Sequence, residues 1–491
     1  MKLTVIVLSV CAGAIALAQS TPDANTLAKI RTEGLERSQV RPVFDYLTVD
    51  IGPRLTASPA HKRAAQWTRD RLASYGLSNA RLEPWKFGRG WELQKLTCEM
   101  IEPRYLPLIA YADGWSAATA GEIAAAPILA AGKSPEEIAS MGASLKGAIV
   151  LTQPMMTAFI RKDRPQPSDE RYEPMSAAYA TSVGARRTPP GEETPQQRAQ
   201  RVAAAFRAAG AGVLLKPSAG EHGTVFVTGR DGGPGAVPSV TIAGEQYNMT
   251  LRYLQRAVPV KLRVDVQAQF HDEDGGNAYN VIAELPGSDP AVRDEVVMIG
   301  GHLDSWHTGV GATDNADGAT TVMEAMRILK AIDARPRRTI RVALWGGEEQ
   351  GLLGSKAWVA EHLAGDANTA AREKFDVYFN IDNGTGAIYG WYLQNKDEVR
   401  PIFDSWLEPL KAIGARRNII EPVGSTDHLS FIDAGVPGFN PIQDYGSYDI
   451  RTHHTNMDTV ERVDLDNTRE AAIVMATFAY QAANLARKLP R

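Results

Sequence analysis

From Tyr279 onward the chain alternates short apolar runs with longer amphipathic ones, and that alternation restricts the fold more than any other feature. Segments 295–300, 339–345 and 376–381 read as buried strands. Helical patterns follow at 317–330, 353–363 and 397–413, and a last helix is expected over 467–489. Parallel strands need a crossover between them, usually a helix packed on a sheet face. The pattern therefore predicts an α/β fold with a mixed, mainly parallel central sheet and helices on both faces. In such sheets ligands collect beyond the carboxyl ends of the strands.

Most of the chemistry-bearing residues fall at those ends. The first strand runs into Gly300-Gly301-His302-Leu303-Asp304-Ser305, and the next loop carries Asp314-Asn315-Ala316-Asp317-Gly318 into a helix. The second strand ends in Trp345-Gly346-Gly347-Glu348-Glu349-Gln350-Gly351 and the third in Asn380-Ile381-Asp382. His453-His454-Thr455-Asn456-Met457-Asp458-Thr459 lies near the end of the chain. Taken singly, each has a structural explanation. A loop histidine is usually hydrogen bonded, an Asp before a helix is usually an N-cap, and paired glutamates usually face solvent. Together, two histidines and several carboxylates in one domain form the donor set that a borderline divalent cation selects.

These segments resemble the co-catalytic di-zinc peptidase family that includes bacterial secreted leucyl aminopeptidases, glutamate carboxypeptidase and the transferrin receptor. The likeness is greatest to its carboxypeptidase Q branch and is densest from Asn280 to Thr459. The resemblance implies the zinc exopeptidase fold and two zinc ions per chain, with Asp314 bridging them. His302 and Asp382 would complete one site, and Glu349 and His454 the other. His453 is the rival for the last ligand. Glu348 would be the general base, and Asp304 would orient His302 through its second ring nitrogen, as carboxylates commonly do at zinc. Asp458 would support His454 in the same way. The segment Gly424-Ser425-Thr426-Asp427-His428 resembles the family's substrate-pocket loop, so Asp427 and His428 are expected to bind substrate, with a capped helix start as the alternative. Trp306 and His307 shape the cleft rim or simply pack.

The middle of the chain, 117–268, is rich in Ala, Gly and Pro and carries none of these clusters. It resembles a protease-associated domain inserted into a catalytic domain formed by 19–116 and 269–491. The insertion is expected to cover the cleft and limit peptide length. Residues 1–18 read as a signal peptide: Lys2, an apolar run to Leu17, and small residues before Gln19. Export to the periplasm or the extracellular space is the resulting expectation. Cleavage there would leave Cys98 as the only cysteine, so no internal disulfide would form. The chain has 491 residues and a formal net charge of −4, without the basic stripe of a nucleic-acid binder. Nucleic acid is not an expected partner, and neither is stable membrane association.

The implied function is hydrolysis of terminal peptide bonds in short peptides or dipeptides, by aminopeptidase or dipeptidase action. A glutamate-type carboxypeptidase would want arginines close to the site, and the metal motifs contain none. The alternatives are a non-catalytic peptide- or protein-binding homologue and a single-zinc acyltransferase resembling glutaminyl cyclase. A full ligand set with a base beside it weighs against both.

Overall fold

The computed structural model describes residues 23–164, 193–382 and 384–491. The expected signal peptide and much of the polar 162–198 stretch lie outside the described residues. Seven strands form the main sheet, in the order Ser78–Lys86, Asn277–Leu285, Thr339–Trp345, Val296–His302, Phe375–Asn380, Gly438–Gln443, Ile388–Tyr392. The four central neighbours from Thr339–Trp345 to Gly438–Gln443 run parallel. Pairings at both edges are antiparallel. This is the mixed α/β architecture expected from the alternation.

Burial along the central strands follows from coverage on both faces. Val296–His302, Phe375–Asn380 and Gly438–Gln443 are buried at every residue. Successive side chains point to opposite faces. Val297 and Ile299 join a core with the helices Asp317–Ala331 and Leu465–Asn484, whereas Met298 joins Trp345, Tyr378, Trp358 and Phe431 on the other side. The strand Gly438–Gln443 escapes sequence reading because Pro441 and two polar residues interrupt its apolar pattern. Asn440 nevertheless fits, since its side chain donates to the carbonyl of Asp382 at 2.9 Å.

A second lobe is built on two smaller sheets. One contains Leu106–Pro107, Gly90–Glu102, Lys261–His271 and Ile123–Ala125, and the other Ala110–Ala112, Ser239–Ile242, Val213–Pro217, Ile149–Leu151 and Ile128–Leu129. These pairings cross the boundaries expected at 117 and 268, because Gly90–Glu102 pairs along its length with Lys261–His271. One apolar core spans both sheets and takes in Leu55 and Trp306 from the catalytic part. Cys98 is buried within it, and that burial pushes its thiol up to about 12, so it packs as an inert side chain. Among the described residues, no helix is long and apolar enough to cross a membrane.

Phe478 shows what anchors the closing helix. It is fully buried, with ring centroids 4.8 Å from Trp391, 5.3 Å from Phe403 and 5.3 Å from Trp406. Phe478→Ala removes a whole ring from a close-packed cluster and should cost about 3–5 kcal/mol. Denaturant unfolding followed by tryptophan fluorescence would read this as an earlier transition.

Candidate metal centre

Parallel pairing brings the chemistry together. His302 is the last residue of its strand and stands opposite Trp345, while Gly300 stands opposite Asn380. Glu348, Glu349 and Asp382 follow those strand ends within a few residues and so emerge at one edge. Asp314 arrives on the loop before Asp317–Ala331, and His454 on the loop beyond Gly438–Gln443. Gly347 makes the turn into the glutamates with a φ of +72°, where a side chain would also strike Trp85.

Asp314 lies between the two histidines. Its Oδ1 is 3.1 Å from His302 Nε2, and its Oδ2 is 3.5 Å from His454 Nε2. His302 Nε2 is also 3.6 Å from Asp382 Oδ1, and His454 Nε2 is 2.8 Å from Glu349 Oε2. His302 Nε2, Asp314 Oδ2 and Glu349 Oε1 are buried and make no hydrogen bond among the described residues. Donor atoms so close, yet not satisfying one another, fit cations placed between them. A small void of about 10 Å³ is bordered by Asp314, Glu349, His454 and Asp458. The donor groups overlap: His302, Asp314 and Glu349 form one, His302, Glu348 and Asp382 another, and Asp314, His453 and His454 a third. His453 stacks on Tyr448, its ring 4.7 Å away, while the short carboxylate distances belong to His454.

The protonation behaviour of this crowd also asks for positive charge. Burial pushes Glu348 well above the usual carboxylate range, and Asp382, Asp427 and Glu349 add to the rise against His302. Burial raises Glu349 in the same way, with Asp314 as its strongest carboxylate neighbour. Burial alone would depress His302, but Asp382, Asp304 and Asp314 hold it well above its ordinary value. The cluster therefore retains protons where a bound cation would supply the charge.

His302 Nδ1 donates to the backbone carbonyl of Asp304 at 3.0 Å, which turns Nε2 toward Asp314 and Asp382. The Asp304 carboxylate oxygen lies 3.6 Å from His302 Nδ1, at ion-pair rather than hydrogen-bond distance. The carboxylate instead accepts from Thr56 Oγ1 at 2.8 Å and from the backbone N–H groups of Glu348 and Glu349 at 3.2 and 3.4 Å. It fixes the glutamate turn. Asp458 accepts from the N–H groups of Thr313 and Asp314 at 2.7 and 3.2 Å and so holds the central aspartate.

Asp427 and His428 are fully buried at the start of the helix His428–Asp433 and do not border the open cleft. His428 Nε2 lies 3.1 Å from the Val423 carbonyl, and the His428 carbonyl packs against Gly438. Asp427 makes no side-chain cap; burial pushes it up to about 7, with Asp382 and Asp304 adding to the rise. Its carboxyl also adds to the upward shift of Glu348. Trp306 borders the cleft with its ring 5.9 Å from His454, whereas His307 donates from Nε2 to the Ala112 carbonyl at 2.8 Å.

Three supporting residues, Arg54, Asn315 and Asn380, have no role assigned by the sequence motifs. Arg54 is fully buried and donates to the carbonyls of Leu47, Gly52, Leu303, Val310 and Gly311 at 2.8–3.0 Å. It thereby ties down both ends of the loop from His302 to Asp314. Gly311, at φ +60°, leaves room for that guanidinium and for Ser305. Asn315 donates from Nδ2 to the Ile381 carbonyl at 2.9 Å, joining the Asp314 loop to the Asp382 loop. Asn380 donates to Asn440 Oδ1 at 3.0 Å and extends the polar ladder beneath Asp382.

A cleft of about 1090 Å³ opens from Trp306, Glu349 and Gln350 into the second lobe. Lys216 lines it, its ammonium 2.8 Å from Asp113, whose other oxygen accepts from Thr241 at 2.6 Å. Arg207 and Arg230 also line it and have no carboxylate partner among the described residues.

A buried His–carboxylate donor set at the carboxyl edge of a parallel sheet defines a metal-dependent enzyme centre. Residues 280–479 match peptidase family M28. Over 446 residues the chain is 28% identical to carboxypeptidase Q from Bos taurus, spanning 91% of this chain and 85% of that protein. The crystal structure of a peptidase M28 precursor from Shewanella amazonensis SB2B superimposes with a TM-score of 0.70 at 26% identity, covering 95% of this chain and 98% of the other. A zinc aminopeptidase from Bacillus subtilis shares the fold, with a TM-score of 0.59 at 20% identity over 90% of this chain and 94% of that one. Residues 280–479 thus carry a peptidase family M28 match within a chain similar along most of its length to carboxypeptidase Q, which marks the protein as a metal-dependent exopeptidase.

Arg54→Met should lower stability by at least about 2 kcal/mol, because several buried carbonyls lose a charged donor together. Chemical denaturation would measure the loss, and zinc analysis of the purified variant should show reduced metal content.

Proposed function

We propose that the chain is an exported di-zinc exopeptidase acting on short peptides. The supporting observation is the Asp314 carboxylate, with one oxygen facing His302 and the other facing His454. One cation would be held by His302, Asp314 and Asp382, and the other by Asp314, Glu349 and His454. Cations there supply Lewis acidity that polarises a peptide carbonyl and lowers the pKa of water. Glu348 is the general base: its carboxylate takes the proton from the attacking water and delivers it to the departing amine. The Asp304 contact to the Glu348 N–H keeps that carboxylate beside His302 and Asp382, the three donor atoms lying within 4.8 Å of one another.

The cleft suits a short peptide lying between the lobes. Lys216, held by Asp113, together with Arg207 and Arg230, which have no carboxylate partner among the described residues, supplies the cations absent from the metal motifs and favours substrates with a free terminal carboxylate. That tilts the reading toward dipeptides and other short free peptides rather than toward long chains. The second lobe, read as a protease-associated domain, sets the far wall of this cleft. Residues 1–18 would direct export and be removed.

Glu348→Gln should lower kcat by about 10²–10⁴-fold, the range for loss of a positioned acid–base group, with zinc content unchanged. Dipeptide hydrolysis measured with and without a chelator provides the assay. Full activity in the variant would overturn the assignment of the base, and chelator-resistant activity would overturn the metal mechanism.

A further inference from the structure

The second lobe reaches past the cleft and grips the loop that carries His454. Val227 N–H donates to the His454 carbonyl at 2.9 Å, and Phe226 bridges antiparallel to Thr455. Asn456 fastens the same loop three times. Its Oδ1 accepts from Val225 N–H at 2.7 Å, its own N–H donates to the Val225 carbonyl at 3.3 Å, and its Nδ2 donates to the Gly223 carbonyl at 3.3 Å. Arg451, just before the loop, donates to the Glu221 carbonyl and to Thr224 Oγ1 at 3.2 and 3.1 Å.

The lobe side of this strap is itself rigid. Ser218 Oγ accepts from Gly220 and Phe226 N–H groups at 3.1 and 3.0 Å and donates to the Thr224 carbonyl at 3.0 Å. Val225 and Val227 are buried in a small core with Ala243 and Tyr111. The loop side needs holding, because His454 has a φ of +60°, a left-handed conformation uncommon for a residue with a side chain. The other donors come from the ends of the main sheet or from the loop before Asp317–Ala331. Among the three donor sets, only that of Asp314, His453 and His454 takes histidines from the loop strapped to the second lobe.

We infer that Asn456 is a positioning residue through which the second lobe sets the affinity of the cation site formed by Asp314, Glu349 and His454, leaving the site of His302 and Asp382 to the catalytic sheet. The inference rests on the two-cation reading. It also changes what removing the lobe would do: deletion would free the His454 loop, so lost activity would not report on peptide length alone.

The test is zinc titration of the metal-free full-length protein against a chromophoric chelator, comparing wild type with Asn456→Ala. One of the two zinc affinities should weaken about 10- to 100-fold, as for loss of a residue orienting a metal ligand. In an Asp382→Ala background, where the Glu349–His454 site remains, Asn456→Ala should produce that loss. In a Glu349→Ala background it should produce none. Arg451→Met, on the same strap, should give a smaller loss of the same pattern if Asn456→Ala proves poorly folded in a metal-free melt. Equal weakening in both backgrounds, or in neither, would overturn the inference. A wild type that binds a single zinc would instead overturn the two-cation reading itself.

Discussion

The Asp314 carboxylate, set between His302 and His454, is the interaction on which the rest of the centre depends. Three further carboxylates, Glu348, Glu349 and Asp382, crowd the same buried edge. Such a concentration of like charge in a low-dielectric cleft is costly unless positive charge is placed inside it. In the protein alone His302 and the carboxylate protons favoured by burial partly fill that role, in keeping with the upward shifts of His302, Glu348 and Glu349. Divalent cations would fill it with the geometry already in place.

Much of the surrounding structure holds these groups apart at the right spacing. Arg54 secures the loop between His302 and Asp314 by its main chain, and Asp458 grips the N–H groups at Thr313 and Asp314. Asp304 does the same for the glutamate turn, while Asn315 and Asn440 hold the segment carrying Asp382. The second lobe secures His454 through Val227 and Asn456. Each donor group thus hangs on a different backbone segment with its own hydrogen-bonded support. Proteins that position metals commonly depend on such supporting contacts as much as on the ligands themselves.

The main sheet was legible in sequence because its parallel strands are buried on both faces and bounded by glycine-rich turns. Strand 339–345 and the helix from Asp317 match the expected bounds closely, since their polar residues leave the apolar periodicity intact. The strand Gly438–Gln443 was hidden by Pro441 and by Asn440, whose polarity is used in a buried ladder. The residues brought together at the strand ends were likewise readable as clusters of chemistry. Their supports were not. Arg54 stands in a segment with no local motif, and its five carbonyl partners are scattered across the chain. Asp304 and Asp458 were found as residues, but the backbone N–H groups they hold were not, because such groups leave no mark in a sequence. The cationic cleft was missed for a similar reason: Arg207, Lys216 and Arg230 are far from the metal motifs in sequence and meet them only across the lobes.

The central claim is that Asp314 is shared by two cations. Zinc-edge anomalous diffraction from crystals of the full chain grown with zinc measures it directly. Two anomalous peaks should appear on either side of the Asp314 carboxylate, one beside His302 and Asp382 and the other beside Glu349 and His454. A single peak, or a second peak coordinated by His453 or Glu348 in place of His454 and Glu349, would contradict the account.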